Sequence, residues 1–178
     1  MQQDEAKRVT EVLQSALQME VDGKEFYQQA ANRGTNRLAK ELFERLAAEE
    51  DDHRRKFQEI YDGIKKGREW PDVAAPTHGP MKFRAVFKDA LEELGTDIKV
   101  SESELEAIKT AMNMELQTYD LYRSRSEESN LRLEKEFYKS LAGEERGHHL
   151  ALLDSYEFLT DPAGWFTVKE RWTLEGMG

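Results

Sequence analysis

The sequence predicts an all-α protein: an antiparallel four-helix bundle with one long crossover and a C-terminal tail. Three observations predict it. Four long stretches carry apolar residues that step by three and four, so each presents one helix face. Short polar breaks join the stretches in pairs, and tight loops make antiparallel neighbours. The composition of the 178 residues, 38% apolar and 35% charged, suits helices with one buried stripe and a wide solvated face.

The first helix spans roughly residues 3–33, with Val9, Leu13, Ala16, Glu20, Gly23, Tyr27 and Ala30 in step. Gly34 suits its C-cap, and Thr35 or Asn36 can start the second helix. There Leu42, Leu46, His53, Phe57, Ile60 and Ile64 share a stripe that ends at Gly67. Residues 67–80, "GREWPDVAAPTHGP", are loop by composition. A shorter amphipathic helix follows over 81–94, with Phe83, Val86, Phe87, Leu91 and Leu94 on one side and Gly95 at its end. It reads as a lid on the bundle.

"SESE" at 101–104 is a capping box, in which Ser101 caps and Glu104 reaches back. The third long helix carries Leu105, Ile108, Met112, Glu115, Tyr119 and Tyr122, and Ser129-Asn130 breaks it. The fourth carries Leu133, Phe137, Leu141, Glu145, His148, Leu152 and Leu159. Asp161-Pro162 stops it or caps a new turn, with proline at the first helical position. The expected organisation is a bundle over 1–160, with its crossover at 67–100, and a tail over 161–178. Trp165, Phe166, Trp172 and Leu174 of the tail pack on the bundle or on a second subunit.

Charge and composition exclude several classes. A net charge of −10 argues against nucleic acid, which wants a basic face. No run approaches the length of apolar residues that a membrane-spanning helix requires. The absence of cysteine excludes disulfides and thiolate metal sites from this chain and suits a reducing, cytoplasmic setting. The N-terminus "MQQDEAKRVTEVLQ" lacks the basic and apolar regions of a signal peptide.

The two hairpins repeat one another at an offset of 95 residues. "MEVDGKEFY" (19–27) lies over "MELQTYDLY" (114–122), and "LAAEEDDH" (46–53) over "LAGEERGH" (141–148). The shared positions are polar residues on apolar stripes, which helical composition alone would not repeat. Glu20 and Glu50 each stand about 15 residues from their turn, roughly 22 Å along the helix, so they are level. Glu115 and Glu145 are level in the same way. Glu50 and His53 lie three apart on one face, as do Glu145 and His148. Docking the stripes converges four carboxylates and two imidazoles at mid-bundle.

Four carboxylates cannot all stay ionised in a low-dielectric core without protons or cations. Two divalent cations cancel the charge, and two ferric ions do so with one oxide bridge. The mixed oxygen and nitrogen donors suit iron or manganese, and zinc fits as well. One glutamate from each of two helices, with Glu-x-x-His from each of the other two, is the dimetal pattern of helical bundles.

With these residues the sequence resembles the ferritin-like superfamily. Its resemblance is to rubrerythrin and its single-domain relatives over about residues 5–160, on Glu20, Glu50-x-x-His53, Glu115 and Glu145-x-x-His148, with Tyr27 and Tyr122 following. The resemblance implies a non-haem diiron centre, oxo- or hydroxo-bridged when oxidised. Glu50 and Glu145 would bridge the metals, Glu20 and Glu115 would be terminal carboxylates, and His53 and His148 would each ligate one metal. Tyr27 and Tyr122 would donate hydrogen bonds to carboxylates, or else only pack. Glu49 and Glu144, four residues before the histidines, are alternative ligands or outer groups. Glu144 and His149 read as bystanders, and His149 and His78 as solvent-exposed. Gly23, Gly143 and Gly147 relieve crowding, admit a small oxidant or serve helix packing.

Two departures from the rubrerythrin pattern stand out. Thr118 occupies the position of an extra glutamate three residues after the third-helix ligand, so the site is more symmetric. No cysteine-bound rubredoxin domain is present in this chain, so an external donor such as a rubredoxin would supply electrons. The resemblance implies reduction of hydrogen peroxide in oxidative-stress defence by a cytoplasmic homodimer. A ferroxidase that handles iron, a dioxygen-activating oxygenase and a non-catalytic bundle are the alternatives.

Overall fold

The computed structural model describes residues 3–72, 99–165 and 167. Four long helices form the protein: α1 (Gln3–Arg33), α2 (Arg37–Lys65), α3 (Glu102–Glu128) and α4 (Arg132–Thr160). No strand occurs among the described residues. α1 packs along α2 and α3 along α4, and the hairpins meet through α1 against α3 and α2 against α4. The all-α four-helix bundle expected from the stripes is the observed fold.

The helix ends follow the sequence signals, with one reassignment. Asn36 caps α2 by accepting from the Ala39 amide at 3.1 Å. Gly67, at φ 76°, terminates α2, the left-handed conformation that glycine adopts without a Cβ penalty. Gly34 does not use that freedom. A Cβ there would lie 3.2 Å from the Ala30 carbonyl oxygen and 3.4 Å from Glu104 Oε1, so close approach rather than φ explains this glycine. Asp161 accepts from the Gly164 amide at 3.0 Å and opens a further helical turn behind Pro162.

Glu104 does more than close the capping box on Ser101. One of its carboxylate oxygens also accepts from the amides of Thr35 and Asn36, at 2.6 and 2.7 Å. A single carboxylate thus ties the start of α3 to the start of α2. Burial works against its charge, but the hydrogen bonds from Asn36, Ser101 and Thr35 outweigh it and hold the carboxyl down at about 2.

Two apolar clusters fill the bundle. One joins Tyr27, Leu42, Phe43, Leu46, Ile108 and Leu152 at the end where α1 and α4 finish. The other joins Leu13, Phe57, Ile60, Tyr122, Phe137 and Leu141 at the opposite end. Trp70, in the stretch read only as loop, belongs to the second cluster and packs on Phe137 and Tyr138 with ring centroids 5.9 and 5.8 Å away. The α3 seam is shifted from the predicted stripe. Ile108, Ala111, Glu115, Tyr122 and Ser126 are buried, while Leu105, Met112 and Tyr119 are only half-buried. Trp165 of the tail packs edge-on against Phe158 at 5.4 Å. The expected crossover helix over 81–94, His78, and Phe166, Trp172 and Leu174 lie outside the described residues. No described helix is long and apolar enough to cross a membrane.

Candidate metal centre

Between the two apolar clusters the core turns polar. Glu20 comes from α1, Glu50 and His53 from α2, Glu115 from α3, and Glu145 and His148 from α4. All six are buried, and five of them are at most 1% exposed. Each helix delivers its polar residues here because they replace apolar ones in its stripe, and the stripe must face the core.

The six form two overlapping groups. Glu20, Glu50, His53 and Glu145 each offer an atom within 4.8 Å of the others, and so do Glu50, Glu115, Glu145 and His148. Glu50 and Glu145 are common to both groups. His53 Nδ1 lies 3.4 Å from Glu20 Oε2, 3.5 Å from Glu50 Oε2 and 3.2 Å from Glu145 Oε1. His148 Nδ1 lies 3.6 Å from Glu50 Oε1, 3.4 Å from Glu115 Oε2 and 3.3 Å from Glu145 Oε2. The imidazole rings stack at 5.7 Å, 15° from parallel.

These edges fit a cation. Bonds of about 2.1 Å place neighbouring donors roughly 3.0–3.4 Å apart. Glu20 Oε2, His53 Nδ1, Glu115 Oε2 and both Glu145 oxygens are buried and take part in no hydrogen bond with any described residue. Buried polar atoms left so are costly, and a pair of cations would satisfy them together. The charges tell the same story. Burial, then the Glu50 carboxylate, pushes Glu20 well above the usual carboxylate range. Burial likewise pushes Glu115 up, with Glu145 adding to it against the pull of His148. Burial disfavours imidazolium at His53 and His148, yet the surrounding carboxylates, led by Glu20 and Glu115, hold both well above the ordinary imidazole range. The cluster balances its charge only by taking up protons or cations.

Glu20 and Glu115 are each held from the other hairpin. Tyr27 of α1 donates to Glu115 of α3, and Tyr122 of α3 donates to Glu20 of α1. Both tyrosines are at most 1% exposed, and burial raises their hydroxyls well above the phenol range, so they stay donors. The outward ring nitrogens cross over too. His53 Nε2 meets Glu144 Oε2 at 3.2 Å, and His148 Nε2 meets Glu49 Oε2 at 3.0 Å. Glu144 is therefore no bystander. Glu49 and Glu144 are buried and face the far side of the rings, away from the group of Nδ1 atoms. His149 is half-buried rather than exposed, with Nδ1 3.1 Å from the Met112 carbonyl oxygen. The Thr118 hydroxyl turns back to the Met114 and Glu115 carbonyls, both at 3.1 Å.

A four-helix bundle with a buried, doubly shared Glu/His cluster defines a ferritin-like protein with a centre that could hold two metal ions. The rubrerythrin family model matches residues 11–156, and the chain belongs to the rubrerythrin family. No curated protein and no solved structure matches it.

Proposed function

We propose that Glu20, Glu50, His53, Glu115, Glu145 and His148 hold two iron ions, and that the protein reduces hydrogen peroxide to water. The observation that carries this reading is the sharing of Glu50 and Glu145 between two otherwise equivalent donor groups, each with its own glutamate and histidine. Glu50 and Glu145, common to both groups, would serve both ions, Glu20 and Glu115 would each serve one, and each imidazole would offer Nδ1 to one. Manganese and zinc fit the same donors, but zinc has no redox chemistry to offer. When bound, two ferrous ions supply one electron each, and with two protons one peroxide becomes two waters. Tyr27 and Tyr122 keep the terminal carboxylates oriented, and Glu49 and Glu144 fix the imidazole rings. An external donor, such as a rubredoxin, restores the electrons. A cytoplasmic homodimer engaged in oxidative-stress defence completes the proposal.

The test is reconstitution with ferrous iron, followed by oxidation under each oxidant in turn. Oxidation faster with peroxide than with dioxygen supports the reading, and the reverse order overturns it. A ferroxidase is the second reading, favoured by Thr118, whose hydroxyl is engaged on its own helix and which brings no further carboxylate. A mineral-storing ferroxidase elutes as a large shell in size exclusion, whereas a dimer counts against it.

A further inference from the structure

One of the places where the repeat differs lies directly beside the site. Gly23 of α1 is followed after 95 residues by Thr118 of α3. A Cβ on Gly23 would lie 3.6 Å from Glu50 Cγ and 3.7 Å from its Cδ. A methyl there would already touch the Glu50 stem, so a longer side chain directed the same way would press on the carboxylate. Glu50 is 5% exposed, the most accessible of the six cluster residues, while its repeat partner Glu145 is 1% exposed.

An open groove of about 470 Å³ lies on the α1–α2 side. Lys24 and Asp51 line it, next in the chain to Gly23 and Glu50, and so do Ala47 and Ala48. Lys24 Nζ and Asp51 Oδ1 pair at 2.7 Å with side chains 31% and 29% exposed. Tyr119 and Arg146 stand at the corresponding places of the second repeat.

We propose that small neutral solutes of the size of hydrogen peroxide reach the metal centre through this groove, past Gly23 and Glu50. Lys24 and Asp51 compensate one another there, so the pair presents little net charge to a passing neutral solute. Gly23, Ala47 and Ala48 put nothing larger than a methyl along this route. The inference rests on the six residues holding iron.

Nitric oxide, a neutral diatomic whose binding to ferrous ions changes the visible spectrum, is the probe. Iron content per chain is measured first, then the association rate by stopped flow. Gly23→Thr, which copies the second repeat, should slow association on the order of tenfold at unchanged iron content. Gly23→Ala, whose Cβ meets Glu50 only at ordinary contact distance, should slow it less and guards against a folding failure of the larger change. Gly143→Thr makes the same exchange on α4 where a Cβ meets nothing within 4 Å, and should leave the rate unchanged. Wild-type rates in both iron-loaded Gly23 variants, or an equal slowing in Gly143→Thr, overturn the route alone. Protein that takes up no iron overturns the metal centre and the route with it.

Discussion

His148 Nε2 lies 3.0 Å from Glu49 Oε2, so one imidazole reaches from the second hairpin to a carboxylate of the first. The reciprocal pair, His53 and Glu144, makes the same reach in the other direction at 3.2 Å. Each ring is held at one nitrogen and presents the other to the cluster. This crossing locks the docking of the hairpins to the orientation of the donors. Arg45 Nε approaches the other Glu49 oxygen at 3.4 Å and helps hold that carboxylate in place.

Glu49→Gln should therefore weaken metal binding without removing a donor. Losing such an outer carboxylate costs about 10–100-fold in affinity. Competition with a chelator reads it. Glu144→Gln should behave alike, and unchanged affinity in both variants would show that the crossed pairs only pack.

Glu145 belongs to both donor groups and Glu20 to one. Elemental analysis should find two metals per chain in the native protein, about one in Glu20→Ala, and neither held tightly in Glu145→Ala. Two tightly held ions in Glu20→Ala would contradict the sharing. The metal-dependent rise in melting temperature should follow the same order, because ligand binding to the folded state alone stabilises it.

Glu104 sets a pH dependence away from the buried Glu/His cluster. Its carboxyl is lowered to about 2, so the folded state favours the ionised form more than the unfolded chain does. The stabilisation is complete above the unfolded value near 4.5 and is lost as pH falls toward 2. Glu104→Gln should cost roughly 2 kcal/mol at pH 7. In denaturant titrations the gap to wild type should close progressively below pH 4.5, and a gap independent of pH would mean that the charge plays no part.

Trp70 anchors the beginning of the crossover on α4. It is 7% exposed and packed on Phe137 and Tyr138. Trp70→Ala should lose about 3 kcal/mol through the cavity it leaves, read as a lower denaturant midpoint at unchanged metal stoichiometry. A loss below about 1 kcal/mol would place the ring outside the cooperative core.

The helices and the six central residues were legible because polar side chains on an apolar stripe must be explained, and the repeat marked which ones. Glu49 and Glu144 were legible only as alternative ligands or outer groups, not by the ring that each one meets. They lie on the same face as the histidines of their own helices, but their partners are on the opposite hairpin, and periodicity carries no docking angle. Trp70 escaped because a loop composition says nothing about which single ring folds back. The α3 seam slipped from Met112 to Ala111 since a small residue marks close approach only once the neighbouring helix is known. Gly34 pointed correctly to a helix end but for the wrong reason, since the Glu104 carboxylate that crowds it comes from 70 residues away.

The tyrosines extend the crossing to Glu20 and Glu115. Tyr27 donates to Glu115, which belongs with His148, while Tyr122 donates to Glu20, which belongs with His53. Each hydroxyl thus serves the donor group whose terminal glutamate lies on the opposite hairpin. Tyr27→Phe should weaken one of two metal-binding steps and Tyr122→Phe the other, each by about 1–2 kcal/mol for a buried hydrogen bond to a carboxylate. Stepwise titration resolves the difference: one tight and one weakened step in either single variant, and two weakened steps in the double variant. If either phenylalanine weakened both steps equally, the hydroxyls would be acting on the whole bundle rather than on one carboxylate each. If neither changed any step, Tyr27 and Tyr122 would be packing residues, despite their contacts with Glu115 and Glu20.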